Sequence, residues 1–333
     1  MDYNNIKLEK GMYTVCNKSF TDVLEDLDPS DKYKGTDLDG LDAYQRQLKR
    51  FGIKVSGPNC DTVEKFFIAS DSAVLFPEFI ARSVKQGIHS HDVLHSIIAA
   101  KSVINTTYYK TIGSDLETSE ISGDPISEGG DLPKVEITTN PDLIELSKHG
   151  RVLSSSYEAL RFQNLDVLAV ILRKIGSDIV NEQLTDAITV IKEDVTSVSE
   201  TAVSVSYGAL LSLWSALKPY HMNVMITDYS IASQILALSE MRDSNAGLNF
   251  QGTGKDITPV GAKLICSSLI ENAILGFDKE CTLQMIQSGD VIVDYDKVID
   301  KQLERASISV TAGFSKIFSN SVKSILITST SES

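Results

Sequence analysis

The chain has 333 residues, 42% hydrophobic and 23% charged, which is enough for one large domain or two to three subdomains with a real core. Its formal net charge is −14 and it contains no dense Lys/Arg run, which argues against a nucleic-acid binder that works by neutralising phosphates. No apolar run approaches the roughly 18 residues of a membrane span, and the N-terminus lacks the basic-then-apolar layout of a signal peptide. We therefore expect a chain made and folded in the cytosol. Cys16, Cys60, Cys266 and Cys281 are widely spaced and form no C-x-x-C pair, so free, mostly buried thiols are expected.

Residues 1–75 are polar and irregular, with turns at Asp28-Pro29-Ser30 and Ser56-Gly57-Pro58. Short amphipathic pieces at 21–27 and 41–51 suit helices, and the segment is expected to gain order by lying on neighbours. A short helix is expected over 78–85, with Pro77 in its first turn where a missing N–H costs nothing. A second helix is expected after Ser90 or His91. Residues 102–111 (SVINTTYYKT) are rich in β-branched and aromatic side chains and read as one strand.

Residues 113–133 form a Gly/Ser/Asp/Glu/Pro-rich excursion, followed by strand-like runs at 134–138 and 143–154. In the second run Ile144, Leu146, Lys148, Gly150 and Val152 share one face, and Glu145, Ser147, His149 and Arg151 the other. This pattern reads as a long two-stranded arm with a mobile tip. An isolated hairpin is marginal in water, so the arm needs a partner.

Residues 164–192 carry the clearest helical signal. Leu165, Leu168, Leu172, Ile175 and Ile179 recur at spacings of three and four, continued by Leu184, Ile188 and Ile191. Such a helix spans roughly 40 Å. Gly176-Ser177-Asp178 is a candidate kink or interruption. Beyond it, 193–280 reads as mixed α/β: Ser206 caps a helix to 217, 223–227 is a strand, Asp228 caps a helix through 238, and 243–259 is a Gly-rich loop. Residues 281–329 read as strand-rich. Ile308, Val310, Ala312 and Phe314 alternate with small polar residues, and 322–328 is a further strand.

Motifs for chemistry are weak. His91 and His95 stand at helical i, i+4 spacing beside His89, but no local Cys or Glu completes a zinc set, so interface or capping roles are preferred. Gly252-Thr253-Gly254-Lys255 resembles a phosphate loop but has Asn249 and Asp256 where Gly and Ser or Thr are needed. Asp290, Asp294, Asp296 and Asp300 do not follow calcium-loop spacing and read as a solvated or inter-subunit acidic edge. No catalytic, cofactor-binding or metal residue is expected.

The order of these parts resembles the tailed double-stranded DNA bacteriophage major capsid protein family. The runs FPEFIARSVKQGIHSHDVLHSIIAA (76–100) and ISEGGDLPKVEITTNPDLIELSKHGRVLSSSYEAL (126–160), followed by the long helix, carry the likeness over roughly 76–329. The resemblance implies an α+β fold in six parts: an N-terminal extension (1–75), an N-arm and first E-loop strand (76–111), an extended E-loop hairpin (112–153), a peripheral (P) domain with the long spine helix (154–192), an axial (A) domain (193–280), and closing strands with the tail (281–333). It places Glu128, Gly129, Gly130, Leu132, Pro133 and Lys134 at the E-loop tip, in contact with another subunit. Some relatives weld subunits through an E-loop lysine; here that position falls on Gly129 or Gly130, which favours a non-covalent shell.

The resemblance further implies self-assembly into pentamers and hexamers of an icosahedral shell that encloses double-stranded DNA without sequence-specific binding. It implies no cofactor, no enzyme activity and no membrane. Portal protein, and scaffolding or decoration proteins, are the implied partners, in a virion assembled in the host cytoplasm. A bend near Gly176 is the expected hinge for expansion. The alternatives are an encapsulin-like nanocompartment shell and an unidentified α/β enzyme.

Overall fold

The structure is a computed structural model that describes residues 3–15, 18–90, 93–114, 128–129, 134–198, 204–242, 257–298, 300 and 303–327. The chain forms two compact units. The first comprises Met1–Asp92, Lys148–Asn181 and Asp290–Val310; the second comprises Val93–Ser147, Glu182–Gly289 and Thr311–Ser333.

In the first unit, short helices begin where side chains satisfy the orphan N–H groups of a first turn. Helix α1 (Phe20–Leu27) opens on a reciprocal cap in which Ser19 Oγ accepts from Asp22 N and Asp22 Oδ2 accepts from Ser19 N. Helix α2 (Ala43–Arg50) opens in the same way on Asp42 and Gln45. A short helix α3 (Ser70–Ala73) leads to α4 (Phe76–Ser90), which is one helix of 15 residues and longer than the expected 78–85. In place of the expected second helix, the described residues show only a 3₁₀ turn at Leu94–Ser96.

Residues 3–75 do not wait for a neighbour to order them. Ile6, Leu8, Phe20, Leu24, Tyr44, Leu48, Val63 and Phe66 are buried in one cluster with Phe76, Phe79, Ile80 and Val84 of α4. Each such side chain contributes about 1.5–3 kcal/mol on burial, which outweighs the polar look of the segment. Its centre is ionic. Arg46 and Asp28 are both 0% exposed and are joined by Nε to Oδ2 at 2.8 Å. The remaining guanidinium donors reach Asp28 O, Ser30 Oγ and Leu41 O, while the Tyr33 ring covers the group at 4.5 Å. Four of the five guanidinium N–H groups are thus bonded, Glu25 lies 3.8 Å from Nη2, and Tyr33 donates its hydroxyl to Asp28 Oδ1 at 2.7 Å, so the buried pair is both matched in charge and hydrogen-bonded. Arg82 of α4 ties the segment down from outside, bridging Asp42 at 2.7 Å, Glu78 at 3.0 Å and Thr21 at 2.8 Å over the Tyr44 ring.

After a short helix α5 (Tyr157–Arg161), α6 (Leu165–Lys192) is unbroken for 28 residues, so the expected interruption at Gly176 is absent. Gly176 serves packing. A Cβ there would stand 2.3 Å from Val84 O, and one at Gly87 would stand 2.1 Å from Arg173 O. The backbones of α4 and α6 touch where neither residue carries a side chain. Leu165, Leu172, Ile179, Ile188 and Ile191 of the sequence pattern are all 0% exposed.

The strands are β1 (Ala100–Ile104), β2 (Tyr108–Ser114), β3 (Ile137–Glu145), β4 (Ser147–Ser156), β5 (Val224–Thr227), β6 (Lys263–Cys266), β7 (Ala273–Phe277), β8 (Leu283–Val298), β9 (Leu303–Lys316) and β10 (Val322–Leu326). Two expected strands are each divided. The 102–111 run splits into β1 and β2, which belong to different sheets. At the break Thr106 Oγ1 donates to Tyr108 O at 2.9 Å, a local bond that competes with a strand ladder. The 143–154 run breaks at buried Leu146, whose N–H bonds Thr107 O instead of continuing a strand.

In the second unit β1 runs parallel to the first part of β8, from Ala100↔Gln284 to Ile104↔Ser288. In the first unit β9 pairs with β8 and β4. Ile308, Val310, Ala312 and Phe314 of β9 are buried as the alternation requires. The second four-stranded sheet has the order β10-β7-β5-β6. Helices α7 (Tyr207–Ala216, capped by Ser206) and α8 (Tyr229–Leu236, capped by Asp228) flank β5 in sequence, and β5 and β6 are parallel. Strand β7 has no separate signal in the sequence, because its five residues hold the small Gly276 that accommodates Met222 and Leu213.

Candidate assembly surface

Among the described residues, strands β2 and β3 form a sheet of two strands. The antiparallel register runs from Tyr108↔Glu145 to Ser114↔Ile137 and shifts between Lys110 and Ile112. There Thr111 turns inward and receives a bond from Asn140 Nδ2 at 2.9 Å. The apolar side chains that should stabilise such a hairpin are instead exposed: Tyr108 by 54%, Ile112 by 65%, Ile137 by 68% and Leu143 by 59%. Solvated apolar residues on an otherwise marginal hairpin mark a surface that finishes its burial elsewhere.

The hairpin is anchored at its root. Leu146 is buried, its N–H bonds Thr107 O at 3.1 Å, and its side chain meets Gly313 of β9. Beside the root lies a cleft of about 220 Å³, lined by Glu145, Ser147, Asp186, Thr189, Gly313 and Phe314 among others.

Of the residues expected at the tip, Glu128 and Gly129 form an exposed turn with Gly129 at φ +82°, a conformation glycine adopts without strain. Lys134 is exposed just before β3. Gly130, Leu132 and Pro133 lie outside the described residues, as do most of the excursion, His91, Cys16 and the Gly252–Lys255 run. The structure therefore brings together only the hairpin's flanks and root.

Among the described residues no three His, Cys, Asp or Glu side chains converge on a possible metal site. His89 and His95 are exposed. Asp290, Asp294 and Asp296 project from β8 into solvent, and Asp290 pairs with Lys85 at 2.5 Å. Cys60, Cys266 and Cys281 are half-buried, and burial pushes the thiols of Cys60 and Cys281 above their ordinary pKa. No described helix is long and apolar enough to cross a membrane.

Neither a protein-family model nor a curated protein matches the sequence. Solved structures do match the architecture. The capsid of a native GTA particle, computed with C5 symmetry, is 12% identical over 70% of this chain and 89% of its own, with a TM-score of 0.51. The capsid of the empty GTA particle is 13% identical over the same shares, with a TM-score of 0.52. A virus-like particle from Pyrococcus furiosus is 12% identical over 74% of this chain and 98% of its own, with a TM-score of 0.50.

At such identities the likeness is one of fold: the chain has the architecture of the subunits that form these capsids and this virus-like particle. The long helix, the two four-stranded sheets and the separate hairpin make up the α+β fold that the chain shares with them.

Proposed function

We propose that the chain is the structural subunit of a bacteriophage icosahedral head, assembling with copies of itself into pentamers and hexamers that enclose double-stranded DNA. The observation that carries this reading is a capsid-type fold whose two-stranded hairpin leaves its apolar flanks in water. Each contact is heterologous, with the hairpin of one subunit lying on a different surface of the next, so one kind of subunit closes rings. The turn at Glu128 and Gly129, with Lys134 beside it, marks the tip that reaches the neighbour. Many weak contacts add through avidity. The role is structural rather than catalytic, and the net charge of −14 suits a shell that holds DNA without adhering to it.

Portal protein, and scaffolding or decoration proteins, are the further partners of this reading, and host cytoplasm is its place of assembly. Expansion of the head would be a switch between two subunit packings. A bend of α6 at Gly176 would have to carry Gly87 with it, because the two backbones touch.

Electron microscopy of the recombinant protein tests the reading. Closed icosahedral particles or five- and six-membered rings are expected. A chain that stays monomeric at high concentration overturns it. Particles from the native source should protect DNA from nuclease; an enzyme cargo in its place would favour the nanocompartment reading.

A further inference from the structure

Residues 201–239 contain only two charged side chains, Lys218 and Asp228, where the chain average of 23% would place about nine. This stretch supplies α7 and α8. The depletion would be unremarkable in buried helices, but both helices have an outer face. In α7 the inward residues are Ala209, Leu210 and Leu213, and Leu211 and Trp214 remain 40% and 47% exposed. In α8 the inward residues are Ile231, Ala232 and Ile235, and Tyr229 remains 70% exposed with Ser233 and Gln234 on the same side.

The register places these two outer faces on one side of the second unit. Met225 pairs with Leu264 and with Gly276, and Thr227 pairs with Ile274, so these residues project from one face of the sheet. Leu213 of α7 meets the Cβ position of Gly276 at 3.1 Å. Ile231 and Ile235 of α8 join the same cluster as Leu213, Met225, Leu264 and Ile274. Both helices therefore cover the same sheet face, α7 on the β10 side and α8 on the β6 side, and their outward sides carry aromatic, aliphatic, hydroxyl and amide groups. Charge lies at the ends of the two helices, with Lys218 beyond α7, Asp228 capping the start of α8 and Glu240 beyond its end.

We propose that this outer surface of α7 and α8 is a contact between copies of the chain, with Trp214 as its anchor. The proposal rests on the shell-subunit reading and says where one subunit grips the next. The occupant follows from charge. Two copies, each at −14, repel one another over most of their surfaces, and this is a place where identical chains approach without opposing like charge. A basic partner would select an acidic surface, and the described residues of this one hold acid only at the ends of α8, in Asp228 and Glu240. Lys218 and Glu240 give the helix ends both signs, which a head-to-tail pair of copies can set against each other. Charge-depleted centres with aromatic anchors and polar rims are the usual anatomy of protein interfaces.

Trp214 is the only tryptophan of the chain, so its fluorescence reports on this one position. The full-length protein is measured as dissociated subunits and as rings or particles. Assembly is expected to shift the emission to the blue and to reduce acrylamide quenching several-fold. Trp214→Glu is expected to weaken association by about 30-fold or more, the loss of an interface hot spot, with far-UV circular dichroism and melting unchanged. Trp214→Phe is expected to assemble. Assembled wild-type particles whose tryptophan stays as quenchable as in the free subunit overturn the contact and leave the shell reading standing, even where the glutamate variant misfolds. So does a folded Trp214→Glu chain that assembles normally. A wild-type chain that never associates overturns the shell reading, and the contact with it.

Discussion

Residues 3–75 and the β2–β3 hairpin are both polar, turn-rich stretches, and they end in opposite states. The first buries Phe20, Leu24, Leu48, Val63 and Phe66 within the chain and neutralises its one deep cation with Asp28. The second keeps Tyr108, Ile112, Ile137 and Leu143 in solvent and has no third strand among the described residues. The difference lies in how apolar groups are spaced. In the first stretch they arrive singly, each on a short turn or helix that α4 can cover. In the hairpin a two-stranded sheet has no layer of its own to pack on. Segment polarity therefore says little about independence, and the placement of a few large side chains says much.

The comparison breaks most readily at Arg46. Arg46→Ala leaves Asp28 buried without its partner and is expected to cost about 3–5 kcal/mol in urea unfolding. Replacing both partners with apolar residues of similar volume is expected to recover most of that loss. Gly87→Ala forces a methyl group against the Arg173 carbonyl and is expected to cost about 1–3 kcal/mol by the same measurement.

Alkali probes the same half of the molecule. Burial, the largest cause, raises the phenols of Tyr13 and Tyr44 above their ordinary pKa. A raised folded-state pKa means that the stabilisation is whole below the unfolded value of about 10 and declines as pH climbs beyond it. Each phenol contributes a slope of up to about 1.4 kcal/mol per pH unit. Tyr13→Phe should make that decline shallower in unfolding measured between about pH 10 and 12.

Ser19→Ala removes one cap of α1 and is expected to cost about 1 kcal/mol in thermal unfolding. The smallest effect on the isolated subunit is expected in the hairpin. Ile112→Ser and Ile137→Ser should stay within about 0.5 kcal/mol of wild type while reducing particle yield in sedimentation. A large loss of subunit stability from either would mean that the hairpin is held by its own chain after all.

Much of the architecture was legible in the sequence. The long helix, its apolar stripe, the caps at Ser206 and Asp228 and the alternation in β9 each follow from a local rule that nothing tertiary overrides. What escaped notice depends on contacts distant in sequence. The burial of residues 3–75 needs α4, and the splitting of two expected strands depends on Thr106, Thr107 and Leu146 at a shared root. Gly176 suggested flexibility because a glycine in a helix usually weakens it, and only the facing Gly87 shows the close approach it permits. The candidate site was visible as a hairpin pattern, but the exposure of its apolar flanks was not, since alternation alone does not say which side meets water.

The meeting of Gly87 with Gly176 also bears on how a shell of the proposed kind would change size. Side chains ordinarily cushion one helix against another, and their rotamers absorb small shears. Here main chain rests on main chain, so load applied to α6 passes directly to α4 with no give between them. In a shell of the kind proposed, this crossing would travel through any remodelling as a rigid rivet.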